Sequence, residues 1–361
     1  MKQSDKIRRV MWGREEHPLT VFVPWDCGHH CPFCTTKREY EQLYPEKRLE
    51  QNFDRLKESM RRILEYRFVD EVVFTGGEPL ADVERLEELI GLVGDRRVYV
   101  NTSLNLDERK TEGAIRFLVR ASTRNLNGEA GIDGISVSFP YANVKMVNAC
   151  GFQTLKTLLA KMDGHHRFNW CRINSVVRGN ETPEQIRTFL SDLSGCCCPD
   201  HGWDIWSVNL RKDYTTCDQS NLNDCCDSTM QTLMSMPDLH YAGHGGCLVC
   251  RNDVFNLDEQ PEHGLIPRLT YHRGVENTSI RYGDFLVIND LVIKPDGEIR
   301  YDWRPGTPLP KRVMDALGRK EPCEAEPEWK WKNPLFASKL TIGGSVGAIG
   351  CRDAPYERCG A

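Results

Sequence analysis

The sequence predicts an α/β protein in which residues 18–211 form a partial (β/α)₆ barrel, similar in plan to a TIM barrel, followed by a C-terminal extension with a β-hairpin. Between about residues 18 and 210, short apolar runs alternate with amphipathic stretches, which is typical of repeated strand–helix units and a parallel sheet. Strand–helix–strand crossovers are right-handed, so six successive units curl into a sheet that is partly or fully closed. With 361 residues, of which 40% are apolar, the chain is long enough to bury a sizeable core.

Six strands and five intervening helices are predicted in order along the core. The strands are Leu19–Val23, Glu71–Thr75, Arg97–Asn101, Gly134–Phe139, Arg172–Val177 and Asp204–Leu210. The helices are Asn52–Tyr66, Val83–Val93, Glu108–Arg120, Phe152–Met162 and Pro183–Leu193. The last helix has a clear start signal, since Thr182 as N-cap, Pro183 at the first helical position and Gln185 form a capping-box pattern.

Composition divides the chain into an N-terminal segment (1–17), the core (18–211), a substrate-side extension (212–304) and a loosely structured tail (305–361). The extension is rich in Asn, Asp, Cys, Gly and His, with one helical stretch near Asn223–Met236. A strand pair at Asp284–Ile293 and Glu298–Asp302 is predicted around the turn sequence Lys294-Pro295-Asp296-Gly297.

Charge and cysteine content narrow the function classes. The formal charge is 47 − 52 = −5, which provides no overall field to attract nucleic acid or an anionic membrane surface. No apolar run approaches the roughly 20 residues of a membrane span, and the charged N-terminus does not resemble a signal peptide. Sixteen cysteines without an export signal predict a cytoplasmic protein with reduced or metal-bound thiols, and without nucleic-acid or membrane partners.

Three cysteines form a candidate metal site just after the first predicted strand. Cys27, Cys31 and Cys34 are separated by three and then two residues, so that their thiolates can turn toward one centre. A structural zinc ion normally has four protein ligands, whereas three cysteines on a four-iron cluster leave one iron open to another ligand. Two alternatives stay open from this segment alone: a Cys₃His zinc site completed by His29 or His30, and ordinary buried thiols.

Two motifs together resemble the radical S-adenosylmethionine enzymes. The first is the Cys-x₃-Cys-x₂-Cys loop with Phe33 before its last cysteine; the second is Phe74-Thr75-Gly76-Gly77-Glu78-Pro79-Leu80 at the end of the second strand. The resemblance implies a [4Fe–4S] cluster on Cys27, Cys31 and Cys34 whose free iron chelates S-adenosylmethionine. It also implies that an electron from the cluster cleaves the cofactor to a 5′-deoxyadenosyl radical, which abstracts hydrogen from the substrate.

The same resemblance assigns further residues to the cofactor. Gly76, Gly77, Glu78 and Pro79 are expected to hold its methionine end, with Glu78 accepting from the ammonium group. Phe33 is expected to pack beside the adenine. Asn101, Ser138 and Arg172 are further candidates because strand ends line the active site in this architecture; polar strand-end residues facing solvent are the alternative for each.

The nearest branch of the family is that of the molybdenum-cofactor GTP cyclases, which Arg172–Val177 followed by Asn180 resembles. That branch carries a run of arginines after its C-terminal cysteines, whereas Cys250 is followed only by Arg251, so GTP cyclisation is not supported. A second metal site near Cys247 and Cys250 is an open alternative to reduced thiols.

The expected activity is hydrogen abstraction from a small polar or anionic substrate, with an electron donor such as flavodoxin or ferredoxin. A peptide-modifying enzyme is the alternative within the family, and a zinc-stabilised binding protein is the alternative from another class. Four late residues, His272, Arg273, Arg281 and Arg300, are candidates to face an anionic substrate, with solvated surface as the alternative.

Overall fold

The fold was analysed in a computed structural model of the chain. The structure describes residues 9–12, 17–25, 31, 34, 46–139, 145–162, 168–196, 205, 207–213, 228–245, 252–257, 268–272, 279–282, 285–302 and 308–318. The described strands are β1 (Arg9–Trp12), β2 (Pro18–Val23), β3 (Glu71–Gly76), β4 (Arg97–Thr102), β5 (Gly134–Phe139), β6 (Trp170–Val177), β7 (Ser207–Lys212), β8 (Leu239–Gly245), β9 (Asn252–Leu257), β10 (Leu269–His272), β11 (Ser279–Tyr282), β12 (Phe285–Ile288), β13 (Leu291–Ile293) and β14 (Ile299–Arg300). The described helices are α1 (Glu46–Leu64), α2 (Val83–Gly91), α3 (Glu108–Leu126), α4 (Lys145–Lys161), α5 (Pro183–Ser194), α6 (Ser228–Ser235) and α7 (Lys311–Gly318).

The predicted six-stranded parallel core is confirmed. Strands β2 to β7 pair in chain order, each parallel to the next, with one helix between each consecutive pair up to β7. They lie inside an eleven-stranded sheet of order β14-β13-β2-β3-β4-β5-β6-β7-β10-β9-β8. The sheet is open, with β14 and β8 at its edges, so the described strands form a partial barrel.

The predicted strand pair near the end of the extension needs correction. Asp284–Ile293 is not one strand: Asn289 and Asp290 separate β12 from β13, and Asp284 lies outside the described residues. Strand β12 pairs with β1 and β11 in a separate three-stranded sheet, whereas β13 joins the main sheet parallel to β2. Two short apolar runs that are close together in the sequence therefore belong to two different sheets.

Helices α4 and α7 also differ from the sequence prediction. Helix α4 begins at Lys145 rather than Phe152 and runs through Gly151, where a Cβ would come within 2.9 Å of the Phe139 ring. This glycine lets the helix pack close to β5, so it does not mark the helix start. In the segment predicted as a loose tail, Lys311–Gly318 is helical, with Val313 and Met314 buried.

The predicted hairpin turn between β13 and β14 is confirmed, and it packs on α1. Gly297 has φ +78°, and its N–H donates to the Lys294 carbonyl at 2.8 Å. Ser59 on α1 donates its hydroxyl to the Gly297 carbonyl at 2.6 Å. A Cβ at this glycine would lie 2.7 Å from Arg55 Cγ and 2.9 Å from the Arg55 carbonyl oxygen. Glycine is therefore required for both the turn and the contact.

The two faces of the parallel sheet have different characters. On β6 the side chains of Cys171, Ile173 and Val177 are buried beneath the helices, while alternate residues are only partly buried on the opposite, open face. The same alternation continues along β10, whereas on β5 only Ser138 is partly buried. Because cross-strand partners point to the same side of a sheet, the registers of the strands define which polar residues meet on the open face.

Candidate active site

Three rows of side chains cross the open face, and polar residues dominate them. In order toward the C-terminal ends of the strands, the rows are Asn101, Ser136, Arg172 and Ser207; then Ser138, Asn174, Asn209 and Thr270; then Val176, Arg211, His272 and Asn252. The candidates Asn101, Ser138 and Arg172 thus lie on one face, as predicted for strand residues that line a barrel interior. Asn101 and Arg172 lie in the first row and Ser138 lies in the second, so the three do not form a single layer at the strand ends.

The first row holds a positioned positive charge. The Arg172 guanidinium lies over the Trp170 ring, 4.3 Å from its centroid, and Arg172 Nε donates to Ser207 Oγ at 3.4 Å. Stacking on an aromatic face orients a guanidinium without neutralising it. Arg172 therefore contributes positive charge to the open face.

A hydrogen-bonded series across four strands joins three residues of the second row to Ser136 of the first row. Asn174 Nδ2 donates to Ser136 Oγ, Asn209 Nδ2 donates to Asn174 Oδ1 at 3.2 Å, and the Thr270 hydroxyl donates to Asn209 Oδ1. Sequence reasoning missed Asn209 and Thr270 as members of this face. In the sequence, both are polar residues at alternate positions of their strands. This pattern places them on the same face as the candidates only once the register of the strands is known.

The third row has a different electrostatic character. Arg211, His272 and Asn252 stand opposite one another on β7, β10 and β9. Burial, and then the positive charges of Arg211 and Arg172, lower the pKa of His272 to about 3. The imidazole is therefore neutral at neutral pH.

The loop after β3 requires its first glycine. Gly76 has φ +107°, and a Cβ there would lie 3.0 Å from both Phe22 Cα and Val23 N on β2. Gly77 is partly exposed beyond it, and Pro79 is buried in a short 3₁₀ turn, Pro79–Ala81. Strands β2 and β3 therefore pair closely up to their last residues, where the loops of both candidate motifs begin.

Glu78 is buried, with 2% of its surface exposed, and its carboxylate is fully engaged by its own chain. Oε1 accepts from Leu80 N at 3.1 Å and from the Thr102 hydroxyl at 2.6 Å. Oε2 accepts from Ser103 N and the Ser103 hydroxyl, both at 2.7 Å. The Glu78 carbonyl also accepts from Trp25 Nε1 at 2.9 Å. The residue therefore ties the β3 loop to the end of β4.

The turn held by Glu78 contains an unusual backbone conformation. Leu104, fully buried, has φ +51° and donates its N–H to Thr102 Oγ1 at 3.0 Å. Asn105 N donates to Ser103 Oγ at 3.2 Å. A left-handed conformation is normally adopted by glycine. Here the Glu78 network and a buried leucine side chain maintain that conformation without glycine.

The cysteine turn is only partly described. Cys34 N donates to the Cys31 carbonyl at 3.0 Å, and both residues are partly exposed. Both thiols therefore belong to one tight turn, which suits ligands that must converge on one centre. Cys27 and Phe33 lie outside the described residues, as do the alternative zinc ligands His29 and His30.

The remaining late candidates lie in different surroundings. Cys247, Cys250 and Arg273 lie outside the described residues, and only the backbone of Arg281 is described. Arg300 is 4% exposed and pairs with Glu298 at 2.5 Å, so its charge is used within the hairpin. Of the four residues considered for an anionic substrate, His272 is the one that the structure places in a row of the open face.

Comparison with known proteins identifies a family for the core. Residues 26–193 match the family model of the Radical SAM superfamily. A search of curated proteins finds no match to the chain. No helix in the described ranges combines the length and the apolar character that crossing a membrane requires.

Several solved structures share similarity at low identity. Streptococcus suis SuiB bound to its precursor peptide SuiA is 14% identical with a TM-score of 0.46, over 90% of this chain and 66% of that chain. SuiB bound to S-adenosylmethionine is 17% identical with a TM-score of 0.35, over 54% and 40%. Native anSMEcpe with bound AdoMet and Kp18Cys peptide is 16% identical with a TM-score of 0.33, over 55% and 51%. The chain therefore spans between 40% and 66% of the length of these structures.

Proposed function

We propose that the chain cleaves S-adenosylmethionine reductively at a [4Fe–4S] cluster and abstracts hydrogen from a small polar or anionic substrate, and the match of residues 26–193 to the Radical SAM superfamily supports this proposal. The observation that carries this proposal is the juxtaposition of its two motifs. Val23 and Gly76 are register partners at the ends of β2 and β3, so the cysteine loop and the Gly76–Pro79 segment leave the sheet side by side.

The three cysteines are the proposed ligands of the cluster. Cys31 and Cys34 share one hydrogen-bonded turn, and Cys27 is assigned with them from its spacing. The bound cluster supplies the electron that cleaves the cofactor and so generates the hydrogen-abstracting radical. Phe33, between the last two cysteines, is proposed to contact the adenine.

The segment after β3 is proposed to hold the methionine end of the cofactor. Gly76 and Gly77 leave backbone groups open to a ligand where a side chain would obstruct them. Glu78 contributes mainly by fixing this segment, since its two carboxylate oxygens already accept four hydrogen bonds. A carboxylate offers about four acceptor sites, so a direct bond from the cofactor ammonium requires the loss of a present partner.

The polarity of the open face supports a polar or anionic substrate. Asn101, Ser138 and Arg172 are proposed to contact the cofactor or substrate from the first two rows. An apolar substrate would cover the polar side chains of these rows without offering them hydrogen bonds, which is unfavourable. SuiB and anSMEcpe bind peptides, but at such low structural similarity those substrates provide no argument for this chain.

Anaerobic reconstitution with iron and sulfide tests the proposal directly. We expect a brown protein with about four iron atoms per chain, which forms methionine and 5′-deoxyadenosine from S-adenosylmethionine when reduced. The triple variant Cys27→Ala/Cys31→Ala/Cys34→Ala should lose both properties. Cys150→Ala, which removes an exposed thiol on α4, is the matched control and should retain them.

Metal analysis of the same samples separates the competing function. A colourless protein that retains one zinc ion per chain and does not cleave the cofactor would overturn the proposal in favour of a zinc-stabilised binding protein. Iron that persists in the triple variant would indicate a second centre, for which Cys247 and Cys250 are the first candidates.

A further inference from the structure

The third row of the open face carries polar groups that the proposed cofactor site does not use. Arg211, His272 and Asn252 are successive register partners on three neighbouring strands. Their side chains therefore lie on one side of the sheet, beside one another. Arg211 Nε, His272 Nδ1 and Asn252 Oδ1 are buried, and none has a hydrogen-bond partner within the ranges that the structure describes.

Unpartnered atoms of this kind are uncommon inside proteins, because an unsatisfied buried polar group is unfavourable. Three such atoms form this row, on strands that are direct neighbours in the sheet. Their concentration in one row of neighbouring strands points to a missing polar partner.

The charges of the side chains in and near the row predict that the missing partner is an anion. The row includes the Arg211 guanidinium, and the Arg172 guanidinium is near enough to act on the same imidazole. Arg211 makes no ion pair with any residue that the structure describes. His272 is neutral, so Arg211 gives the row a positive charge that no carboxylate of the described residues pairs with. Such a site attracts an anion.

The position of the row relates it to the proposed chemistry. Arg211 and His272 lie at the C-terminal ends of β7 and β10, and Gly76 ends β3 at the same side of the sheet. Four strand-to-strand steps separate β3 from β7, which is about 19 Å along the sheet. The row and the cofactor segment therefore both lie at the edge of the sheet where its parallel strands end.

We propose that Arg211, His272 and Asn252 form a subsite for an oxyanion of the substrate, a carboxylate or a phosphate, next to a hydrogen-bond donor of the same molecule. Arg211 Nε–H and the Nδ1–H tautomer of His272 donate to the oxyanion, and Asn252 Oδ1 accepts from the adjacent O–H or N–H. This substrate class rests on the proposed function and makes it more specific: a small molecule such as a hydroxy acid, an amino acid or a sugar phosphate.

The test measures anion binding at His272 in the reconstituted protein with S-adenosylmethionine bound. The probes are acetate, glycolate and inorganic phosphate at neutral pH and constant ionic strength, and the readout is the ¹⁵N chemical shift of the labelled imidazole as each probe is added. A bound anion should shift the Nδ1 resonance until the site is saturated, because it accepts the hydrogen bond from Nδ1–H. Preference for phosphate over both carboxylates identifies a phosphate subsite, and the reverse identifies a carboxylate subsite.

Variants assign the effect to individual residues. Arg211→Gln should weaken binding of the probes by about 10-fold or more, the range for hydrogen bonds to charged groups. Asn252→Ala should remove the advantage of glycolate, which has a hydroxyl, over acetate, which has none. Arg116→Gln removes an exposed arginine of α3 and is the matched charge control, with unchanged binding expected.

Two results would overturn the subsite. One is equal anion affinity in Arg211→Gln and wild type, with both proteins equally folded by circular dichroism. The other is a parallel loss of S-adenosylmethionine affinity in Arg211→Gln, which would assign the oxyanion to the cofactor carboxylate. Failure of the proposed function is a separate outcome, because it would appear as absent cofactor cleavage while anion binding at His272 persisted.

Discussion

The substitution Glu78→Gln separates a positioning role for this carboxylate from direct contact with the cofactor. An amide has one acceptor oxygen and one NH₂ donor, while the carboxylate now accepts four hydrogen bonds. If the NH₂ replaces Oε1 it faces the Leu80 N–H, and if it replaces Oε2 it faces the Ser103 N–H. Either orientation leaves one buried backbone N–H without an acceptor.

The magnitude follows from these contacts. An unsatisfied buried donor is destabilising by about 1–3 kcal/mol, and loss of the charge adds the difference between charged and neutral hydrogen bonds. We expect Glu78→Gln to lower the free energy of unfolding by about 2–4 kcal/mol, measured by urea denaturation. Affinity for S-adenosylmethionine should fall as well, because the β3 loop and the turn at Leu104 lose their common support.

Glu181→Gln is the matched control for this experiment. Glu181 is also buried, and it accepts from Arg178 N at 2.7 Å and Gly179 N at 2.9 Å in the loop after β6. Its substitution should reduce stability by about 1–3 kcal/mol through the same loss of a backbone acceptor, with a smaller change in cofactor affinity. Unchanged stability of Glu78→Gln together with strongly reduced cofactor affinity would refute the positioning argument and favour a direct contact.

Two other perturbations follow from the hairpin and from the third row. Gly297→Ala should destabilise the protein by about 2–4 kcal/mol in urea, since it combines a left-handed φ of +78° with contacts of 2.7 and 2.9 Å to Arg55. Gly91→Ala on α2, where a Cβ meets nothing within 4 Å, should instead stabilise by about 0.5–1 kcal/mol, and equal effects of the two substitutions would contradict the packing argument. The pKa of His272 is lowered from 6.5 to about 3 in the native protein, so below pH 6.5 the unfolded chain binds a proton that the native chain does not. Between pH 6.5 and pH 5 the free energy of unfolding should therefore fall by about 1.6 kcal/mol more in the wild type than in His272→Gln, and parallel pH profiles would exclude a buried neutral imidazole.

Much of the core was predictable because its signals are local. The β5 strand was predicted at its observed bounds, Gly134–Phe139, since a buried parallel strand appears as a short apolar run. The capping box at Thr182 and Gln185 forms as predicted, with hydrogen bonds of 3.3 and 2.8 Å, because both partners lie within one helical turn. The order of six strand–helix units likewise follows from the alternation along the chain.

The candidate site was predictable to the level of its motifs but not of its contacts. The spacing of Cys31 and Cys34 and the glycine at position 76 are properties of short segments, and the sequence by itself determined both. Two residues at the end of the next strand, Thr102 and Ser103, donate hydrogen bonds to the Glu78 carboxylate. The motif by itself did not predict that these bonds occupy acceptor sites of the carboxylate.

The tertiary structure decided what depends on pairing between distant segments. Strand β13 lies beside β2 with Leu291 opposite Leu19, although nothing in the local sequence at either strand identifies the other. Arg211, His272 and Asn252 likewise meet only through the registers of β7, β10 and β9. Local periodicity sets which face a residue occupies within its own strand, whereas register is determined by packing of the whole sheet, so the anionic subsite became visible only in the folded chain.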